Sequence, residues 1–252
     1  MKTLSIVIPA YNEKLNFKNK VLNQISDYLK KKNLNWQVII VDDGSTDGSN
    51  KLIAKWVANK KNWQFIQNPH QGKAATIMTG VFQAKNPYTL FTDFDQATPI
   101  VEIEKLTPFI KKNYPIVIGS REIKGSLRQQ EPWFRHFMGK VFNFVVKLFT
   151  IKGIHDTQCG FKLFKTSTAR KLFTALKVYQ PNGKQEKHSF TGAFDVELLY
   201  IANKWGLKIA EVPIHWKHMA TTRVSPLRDS VRMFLHVLAI RITDVLGGYK
   251  KV

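Results

Sequence analysis

The first half of the chain alternates apolar segments of strand length with amphipathic segments of helix length, and this alternation limits the possible folds more than any other feature. Strands are predicted at residues 4–10, 36–42, 63–67 and 88–92, and helices at 15–32, 49–59 and 73–84. Strands and helices that alternate at this spacing predict an α/β fold with a mainly parallel sheet flanked by helices. In such a sheet, ligands bind at the carboxyl ends of the strands.

The second half carries fewer strand signals and more helix signals. Helices are predicted at 100–112, 134–150, 192–205 and 230–246, strands at 115–119 and 208–213, and a polar loop at 180–191. A length of 252 residues suits one α/β domain with additions at one end. We therefore predict one main domain over residues 1–222, followed by a C-terminal basic loop and amphipathic helix over residues 223–252.

Two aspartates, Asp93 and Asp95, follow the apolar segment 87–92. Residues i and i+2 of an extended strand point to the same side, so these two carboxylates are expected to leave the strand end together. They can hold one hard divalent cation, Mg²⁺ or Mn²⁺, which takes its remaining ligands from waters and from the phosphates of a substrate. The alternative for an isolated Asp-x-Asp is a surface turn, but other motifs accompany this one.

Two motifs upstream also close predicted strands. The first contains Pro9, Tyr11 and Glu13, and the second contains Asp42 and Asp43. One of these aspartates can accept hydrogen bonds from a base or a ribose, as an acidic residue does in dinucleotide-binding folds. The alternatives are structural: an Asp-Gly turn for the aspartates, and a carboxylate at a helix start for Glu13.

The predicted third helix opens with Gly72 and Lys73. Glycine permits close approach of the backbone to a ligand, and a lysine at a helix start can meet a diphosphate. The spacing of a P-loop is absent from this segment, so the motif does not indicate a nucleotide triphosphatase.

Five segments in this order, residues 7–13, 41–47, 93–95, 156–164 and 193–202, resemble family 2 glycosyltransferases. The last two are similar to the dolichyl-phosphate glucosyltransferase branch, whose bacterial relatives use undecaprenyl phosphate. The resemblance covers about residues 4–241 and implies a nucleotide-sugar-binding fold of the GT-A type, with the catalytic domain in residues 1–222. It implies the inverting transfer of a hexose to a polyprenyl phosphate, with glucose from UDP-glucose as the first candidate.

On the donor side, the resemblance implies a site built from the first two motifs and the start of the third helix: Pro9, Tyr11, Glu13, Asp42, Asp43 and Lys73. Asp43 is the first choice for a contact with the base. The cation bound by Asp93 and Asp95 would neutralise the charge that builds on the leaving nucleoside diphosphate.

On the acceptor side, the resemblance implies that six residues surround the lipid phosphate: Arg121, Lys162, Asp195, Lys217, Arg223 and Arg228. Arg121 suits this role because a guanidinium meets phosphate oxygens bidentately. The alternatives are a surface ion pair for Arg121, a solvated Lys162, and a helix-start acid for Asp195. Asp156 is expected to orient groups rather than to abstract a proton, because a phosphate monoester has a second pKa near ~6 and is mostly ionised at pH 7.

The net charge of +21 is unusual and predicts attraction to a polyanion. We find no nucleic-acid recognition motif, and an anionic membrane surface explains the charge better. In the predicted helix 134–150, the residues His136, Lys140, Asn143 and Lys147 form a polar stripe among large apolar residues, which is typical of a helix that lies in a membrane interface. The helix 230–246 repeats this pattern more weakly, with core packing or a dimer interface as its alternatives.

The sequence shows no secretory signal and no apolar run near the roughly 20 residues that span a bilayer. Its one cysteine agrees with a reducing compartment. We therefore expect peripheral attachment to the cytoplasmic face of the cell membrane, with a membrane-protein partner or a homo-oligomer as further expectations. Alternative activities are transfer from GDP-mannose, or transfer to a cell-wall polymer or a diacylglycerol, and the non-enzyme alternative is a basic membrane-binding protein.

Overall fold

The computed structural model of the chain describes residues 3–129, 153–181, 193–219 and 226–251. Its strands are β1 (Ser5–Ala10), β2 (Gln37–Asp42), β3 (Trp63–Gln67), β4 (Tyr88–Phe91), β5 (Ile116–Ser120), β6 (Leu127–Gln129), β7 (Lys162–Lys165), β8 (Ile209–Pro213) and β9 (His215–Lys217). The main sheet has the order β3-β2-β1-β4-β7-β5-β8, and β6 pairs with β9 in a separate small sheet.

The helices lie on both faces of the main sheet. They are α1 (Lys14–Lys18), α2 (Val21–Lys31), α3 (Ser49–Val57), α4 (Lys73–Gln83), α5 (Ile103–Lys111), α6 (Thr166–Ala175), α7 (Phe194–Lys204) and α8 (Pro226–Val245). The single helix predicted over residues 15–32 is wrong, because Lys20 adopts a left-handed conformation (φ 57°) that separates α1 from α2. A 3₁₀ turn at Ile100–Glu102 likewise precedes α5.

The prediction of a mainly parallel sheet is confirmed. Neighbouring strands run parallel in the pairs β1–β2, β2–β3, β1–β4 and β5–β8. Among the described strands of this sheet, β7 alone runs antiparallel, between β4 and β5. This strand was not predicted, because its four residues begin and end with lysine and are too few to show an alternating pattern.

The core forms two layers, one on each face of the sheet. Val7 and Ile39 face the layer that contains α4, α6 and α7, whereas Ile8 and Ile40 face the layer that contains α2, α3 and α5. Strands that are buried on both faces in this way are typical of parallel sheets covered by helices. The helix α4 lies very close to β1, because a Cβ added at Gly80 would sit 2.3 Å from Val7 Cγ1.

The last helix, α8, buries one side and exposes the other. Val237 and Ile240 are fully buried against the core, and the side chain of Tyr249 is also buried and donates to Glu197 Oε1 (2.6 Å). The opposite side carries exposed apolar side chains: Val231, Phe234, Leu235, Ile242 and Val245. Within the described residues, no helix combines the length and the hydropathy that crossing a membrane requires. The predicted helix 134–150 lies outside the described residues.

Candidate active site

The polar segments predicted to bind ligands meet at one edge of the main sheet. The strands β1, β2, β4 and β5 end there, and the antiparallel β7 begins there. The segment that precedes β7, residues 156–161, therefore lies beside the turn that follows β4. Ligand sites of parallel α/β sheets occupy this edge.

The two aspartates of the Asp-x-Asp motif lie in a turn just beyond β4, since the strand ends at Phe91. Phe94, between them, is buried in the core, whereas Asp93 and Asp95 are both partly exposed. Asp95 Oδ1 accepts a hydrogen bond from the Ala97 amide (3.0 Å). Burial, the charge of Asp93 and the charge of Glu13 raise the pKa of Asp95 to about 6. This crowding of negative charge favours a bound cation.

Lys73, the first residue of α4, supplies a cation to this turn. Its Nζ lies 2.6 Å from Asp93 Oδ1, and the two side chains are 20% and 37% exposed. Burial lowers the pKa of Lys73, but the charges of Asp93 and Asp195 outweigh burial and raise it above its usual range. The turn and the helix start are thus joined by an ion pair that remains in reach of solvent.

The carboxylate of Asp93 also rests on the backbone of Gly160. A Cβ added at Gly160 would lie 2.0 Å from Asp93 Oδ2. Only glycine leaves room for the carboxylate at this position. The segment before β7 therefore fixes where Asp93 points.

Lys162 and Asp195 form a second ion pair beneath the first. Lys162 Nζ lies 2.5 Å from Asp195 Oδ1 and also donates to the backbone oxygen of Cys159. Lys162 is fully buried, so its ammonium faces Asp195 and not solvent. Burial raises the pKa of Asp195 despite the opposing charges of Lys162 and Lys73. The predicted acceptor residues Lys162 and Asp195 thus lie under the Asp-x-Asp turn, at the start of β7 and α7.

Arg121, directly after β5, is held by Asp156. Its Nε donates to Asp156 Oδ2 (2.7 Å), its Nη2 donates to Oδ1 (2.9 Å), and its backbone amide donates to Oδ2 (2.9 Å). Burial raises the pKa of Asp156, but the Arg121 guanidinium and these hydrogen bonds outweigh burial and lower it to about 2. The guanidinium also lies over the Trp216 ring, 5.4 Å from its centroid.

Two neighbours complete the surroundings of Asp156. Glu211 Oε1 accepts a hydrogen bond from the Asp156 amide (2.8 Å), which fixes the backbone at this point. Burial and the charge of Asp156 raise the pKa of the Cys159 thiol to about 11. A thiol that stays protonated at neutral pH is a packing group here and not a nucleophile.

The carboxylates after β2 are engaged within the protein. Asp42 accepts hydrogen bonds from the amides of Gly44 (3.1 Å) and Ser45 (3.0 Å). Asp43 Oδ1 accepts from the Gln71 amide (2.9 Å), and its Oδ2 lies 2.8 Å from His70 Nδ1. The turn that was the structural alternative for Asp42 is therefore present, and Asp43 anchors the loop that leads into α4.

His70 and Tyr11 form a face-to-face aromatic stack next to Asp43. Their rings stack with centroids 4.3 Å apart and planes 4° apart. His70 Nε2 is buried and has no hydrogen-bond partner among the described residues. Because the Asp43 carboxylate can only accept, His70 Nδ1 donates to it, and Nε2 is an acceptor whenever the ring is neutral.

The first loop is tied to the loop after β2. The Asn12 amide donates to Ser45 Oγ (2.9 Å), and the Glu13 amide donates to Ser49 Oγ (3.2 Å). The Glu13 carboxylate accepts from Asn16 Nδ2 (2.6 Å) at the start of α1, and Pro9 is partly buried in β1. These contacts place Glu13 near Asp95, as the effect of Glu13 on the Asp95 pKa indicates.

Of the predicted acceptor residues Lys217, Arg223 and Arg228, the structure describes only Lys217 in full. Lys217 is exposed on β9, and its amide donates to the Ala97 oxygen (2.8 Å), next to the Asp-x-Asp turn. Arg223 lies outside the described residues. Arg228 lies in α8, and its side chain is outside the description.

Comparison with known proteins identifies the family. Residues 5–173 match the family described as Glycosyl transferase family 2. The chain belongs to this family. Dolichyl-phosphate beta-glucosyltransferases are similar over nearly its whole length: the relative from Dictyostelium discoideum is 31% identical over 98% of this chain and 76% of its own length. The human relative is 31% identical over 99% of this chain and 78% of its own length. The predicted glucosyltransferase branch is therefore confirmed.

Solved structures confirm the GT-A-type fold of this family 2 glycosyltransferase. Mannosyl-3-phosphoglycerate synthase from Rubrobacter xylanophilus superposes with a TM-score of 0.65 at 15% identity, over 99% of this chain and 77% of that chain. S. aureus TarS in complex with UDP-GlcNAc superposes with a TM-score of 0.57 at 17% identity, over 96% of this chain and 67% of that chain. The mannosyltransferase PcManGT from Pyrobaculum calidifontis in complex with GDP-Man and Mn²⁺ superposes with a TM-score of 0.57 at 18% identity, over 87% of this chain and 57% of that chain.

Sequence reasoning missed three residues of this glycosyltransferase site. His70 follows β3, so strand order alone could have placed it at the ligand edge. Gly160 and Glu211 gave no comparable signal, because their roles depend on the antiparallel β7 and on the pairing of β8 with β5. Their neighbours Asp93 and Asp156 are far away in sequence.

Proposed function

We propose that this protein transfers glucose from UDP-glucose to a polyprenyl phosphate with inversion at the anomeric carbon, at the cytoplasmic face of a membrane. The observation that carries the proposal is that two sites suited to phosphates share one edge of the sheet. One is the Asp93–Lys73 pair with Asp95, and the other is the Arg121–Asp156 pair. The choice of glucose and of a lipid phosphate is supported by the names of the full-length relatives.

The residues at the turn fit a divalent cation. The raised pKa of Asp95 arises from burial and from the nearby Asp93, and a bound cation would relieve both costs. The described residues contain no group of three or more histidine, cysteine and acidic side chains arranged for a metal. Two carboxylates suit Mg²⁺ or Mn²⁺, which keep waters and take further ligands from substrate phosphates. Such an ion, when bound, neutralises charge on the departing diphosphate.

The donor nucleotide lies along β1, β2 and the start of α4. The stack of Tyr11 on His70 offers an aromatic face to the base. Asp43 acts through His70 and the loop that it anchors, and Asp42 shapes the turn behind it. Lys73 then meets the diphosphate at the start of α4.

The acceptor phosphate binds at Arg121. Asp156 fixes the guanidinium through Nε and Nη2, so Nη1, which has no partner among the described residues, stays directed for phosphate. A carboxylate with a pKa near 2 is a poor proton acceptor at neutral pH. No such acceptor is required, because the phosphate oxygen that attacks the anomeric carbon is already ionised.

The exposed apolar side of α8 supports attachment to a membrane. Val231 and Ile242 are both 61% exposed, whereas Val237 on the other side of the helix is fully buried. Core packing therefore does not account for the outward side. A helix with an apolar outer face on a protein of net charge +21 suits an anionic bilayer interface, where the polyprenyl chain of the acceptor also resides.

The test is incorporation of radiolabelled sugar into organic-extractable lipid. Purified protein is mixed with undecaprenyl phosphate or dolichyl phosphate, with Mg²⁺ or Mn²⁺, and with UDP-glucose, UDP-N-acetylglucosamine or GDP-mannose in turn. We expect metal-dependent labelling from UDP-glucose. Labelling from GDP-mannose alone would show that the transferred sugar is mannose and not glucose. Nucleotide binding without labelling of either lipid would show that the acceptor is not a polyprenyl phosphate.

A matched pair of variants separates an enzyme from a basic membrane-binding protein. Asp93→Asn combined with Asp95→Asn should lower turnover at least about a hundredfold, because the cation site is lost. Asp27→Asn, an exposed aspartate on α2, removes a similar charge away from the site and should leave turnover unchanged. If the double variant kept full turnover, the proposed metal site would be rejected.

A further inference from the structure

Lys73 contacts the same carboxylate that the proposed divalent cation needs. Its Nζ lies 2.6 Å from Asp93 Oδ1, at the distance of a charge-assisted hydrogen bond. The ammonium of Lys73 is also close enough to Asp95 and Asp195 for both to raise its pKa. A second cation at Asp93 would therefore meet a positive charge already in place.

The neighbouring charges show which partner can move. Asp195 is held by Lys162, which is fully buried and also bonded to the Cys159 oxygen. Asp93 is pressed against the backbone of Gly160. Lys73, in contrast, has Asp93 as its one described ion-pair partner and is 20% exposed at the end of a flexible four-carbon chain. Lys73 is therefore the member of the cluster with the fewest constraints on its charged group, and the one best able to change partner.

The position of Lys73 at a helix start gives its ammonium a second possible partner, the donor diphosphate. Lys73 is the first residue of α4, an eleven-residue helix whose N-cap Gly72 has a φ of 87° and no side-chain cap. An anionic diphosphate at this helix start would meet the amide groups of the first helical turn and the Lys73 ammonium. An ammonium at this position can pair with Asp93 or with the donor phosphates.

Resting on the proposed metal-dependent transfer, we propose that Lys73 is an exchangeable counter-cation that makes binding of the metal and binding of the donor cooperative. Before the donor binds, Lys73 holds Asp93 and competes with the divalent cation. The donor diphosphate draws the ammonium away from Asp93, and the carboxylate then becomes available to the cation. Because linkage is reciprocal, the metal strengthens nucleotide binding by the same factor by which the nucleotide strengthens metal binding.

This role predicts that removal of the Lys73 charge strengthens Mn²⁺ binding instead of weakening it. Lys73→Met should tighten Mn²⁺ binding to the nucleotide-free protein, by about five- to tenfold, because the competing charge is gone. The same variant should reduce the factor by which UDP strengthens Mn²⁺ binding, a coupling that typically amounts to about 5- to 150-fold. A lysine that only bound the donor would leave Mn²⁺ binding without nucleotide unchanged.

The experiment is a titration of Mn²⁺ into the full chain, followed by electron paramagnetic resonance of the free ion, with and without UDP, or GDP if only GDP binds. Lys55→Met, on the exposed side of α3, removes the same charge elsewhere and controls for the general field of the protein. Lys73→Arg keeps a cation at the helix start and should retain the weak Mn²⁺ binding of the unchanged protein. Thermal unfolding of each variant shows whether it is folded.

The outcomes separate this inference from the proposed function. Tighter Mn²⁺ binding in Lys73→Met, but not in Lys55→Met, together with weaker coupling to UDP, supports the exchange. Equal or weaker Mn²⁺ binding in a folded Lys73→Met variant overturns it and leaves the metal site standing. If Asp93→Asn does not weaken Mn²⁺ binding, the metal site itself is rejected and the exchange with it.

Discussion

At the scale of single residues, the two ion pairs of the site differ in how firmly their partners are held. Asp156 is fully buried and accepts three hydrogen bonds from Arg121, whereas Lys73 and Asp93 share one close contact and are partly exposed. A buried, bidentate pair holds one geometry, and a partly exposed pair can open. The first pair thus suits orientation of an acceptor, and the second suits exchange with incoming charges.

Asp156→Asn should destabilise the fold strongly. The substitution leaves the largely buried Arg121 guanidinium without its counter-charge, and removing one partner of a buried pair costs about 3–5 kcal/mol. The measurement is the free energy of unfolding in urea. Glu104→Gln is the control, because Glu104 and its partner Lys32 are both about half exposed (48% and 47%) and such pairs contribute about 1 kcal/mol or less. Equal losses of unfolding free energy in the two variants would show that the Arg121–Asp156 pair stabilises the fold no more than an exposed pair does.

The pKa of Asp95 predicts how metal binding depends on pH. Only the ionised carboxylate binds a cation, and the pKa of Asp95 in the protein is about 6. Mn²⁺ affinity should therefore be flat above pH 6 and should fall by about tenfold per pH unit below it, as the proton competes. Calorimetric titrations of Mn²⁺ into the protein at about pH 7.5 and at about pH 5 test this. The fold is expected to persist over this range. An affinity that stays constant to pH 5 would show that Asp95 does not bind the ion.

At the scale of secondary-structure elements, the antiparallel strand β7 determines the site. By pairing with both β4 and β5, it brings residues 156–161 between the turn after β4 and the arginine after β5. The Asp93 carboxylate then rests on Gly160, and Asp156 reaches Arg121. The proposed donor and acceptor sides are thus connected through one short segment.

Gly160→Ala tests this connection. A methyl group at Gly160 would lie 2.0 Å from Asp93 Oδ2, so the carboxylate must move. We expect Mn²⁺ affinity and turnover to fall by at least about tenfold, since misplacement by about 1 Å can cost a hundredfold in rate. Cys159→Ala alters the adjacent buried residue without adding an atom near Asp93, and it should retain Mn²⁺ binding. Unchanged Mn²⁺ affinity in Gly160→Ala would show that Asp93 adapts freely.

The contacts made around β7 could not be predicted from the sequence, whereas much of the parallel sheet could. Parallel strands with long apolar runs, such as β1 and β2, and the acidic residues at their ends followed directly from periodicity. The burial of Lys162 could not be predicted, because a lysine at a strand end is ordinarily solvated and only tertiary packing places Asp195 above it. The engagement of Asp43 with His70 depends likewise on a loop that joins β3 to α4.

At the scale of the whole molecule, charge and an apolar surface coincide. The chain carries a net charge of +21, and α8 exposes Leu235 (56%) and Ile242 (61%) on its outer side. Electrostatic attraction brings a basic protein to anionic lipid, but it weakens with salt and does not set an orientation. Insertion of apolar side chains sets the orientation, and among the described elements α8 exposes the largest number of them.

Replacing Leu235 and Ile242 together by serine should weaken binding to phosphatidylglycerol-containing vesicles by about ten- to a hundredfold. A little over half of each side chain is exposed, so insertion of each one contributes about half of the roughly 1.5–3 kcal/mol of a fully buried aliphatic side chain. The net charge does not change, so a loss reports apolar insertion alone. The control is Leu15→Ser with Phe82→Ser, since these residues are 70% and 44% exposed on α1 and α4. Vesicle sedimentation measures binding, and light scattering without lipid measures self-association. A dimer that dissociates in the α8 variant, with unchanged vesicle binding, would assign this surface to a second copy of the chain instead.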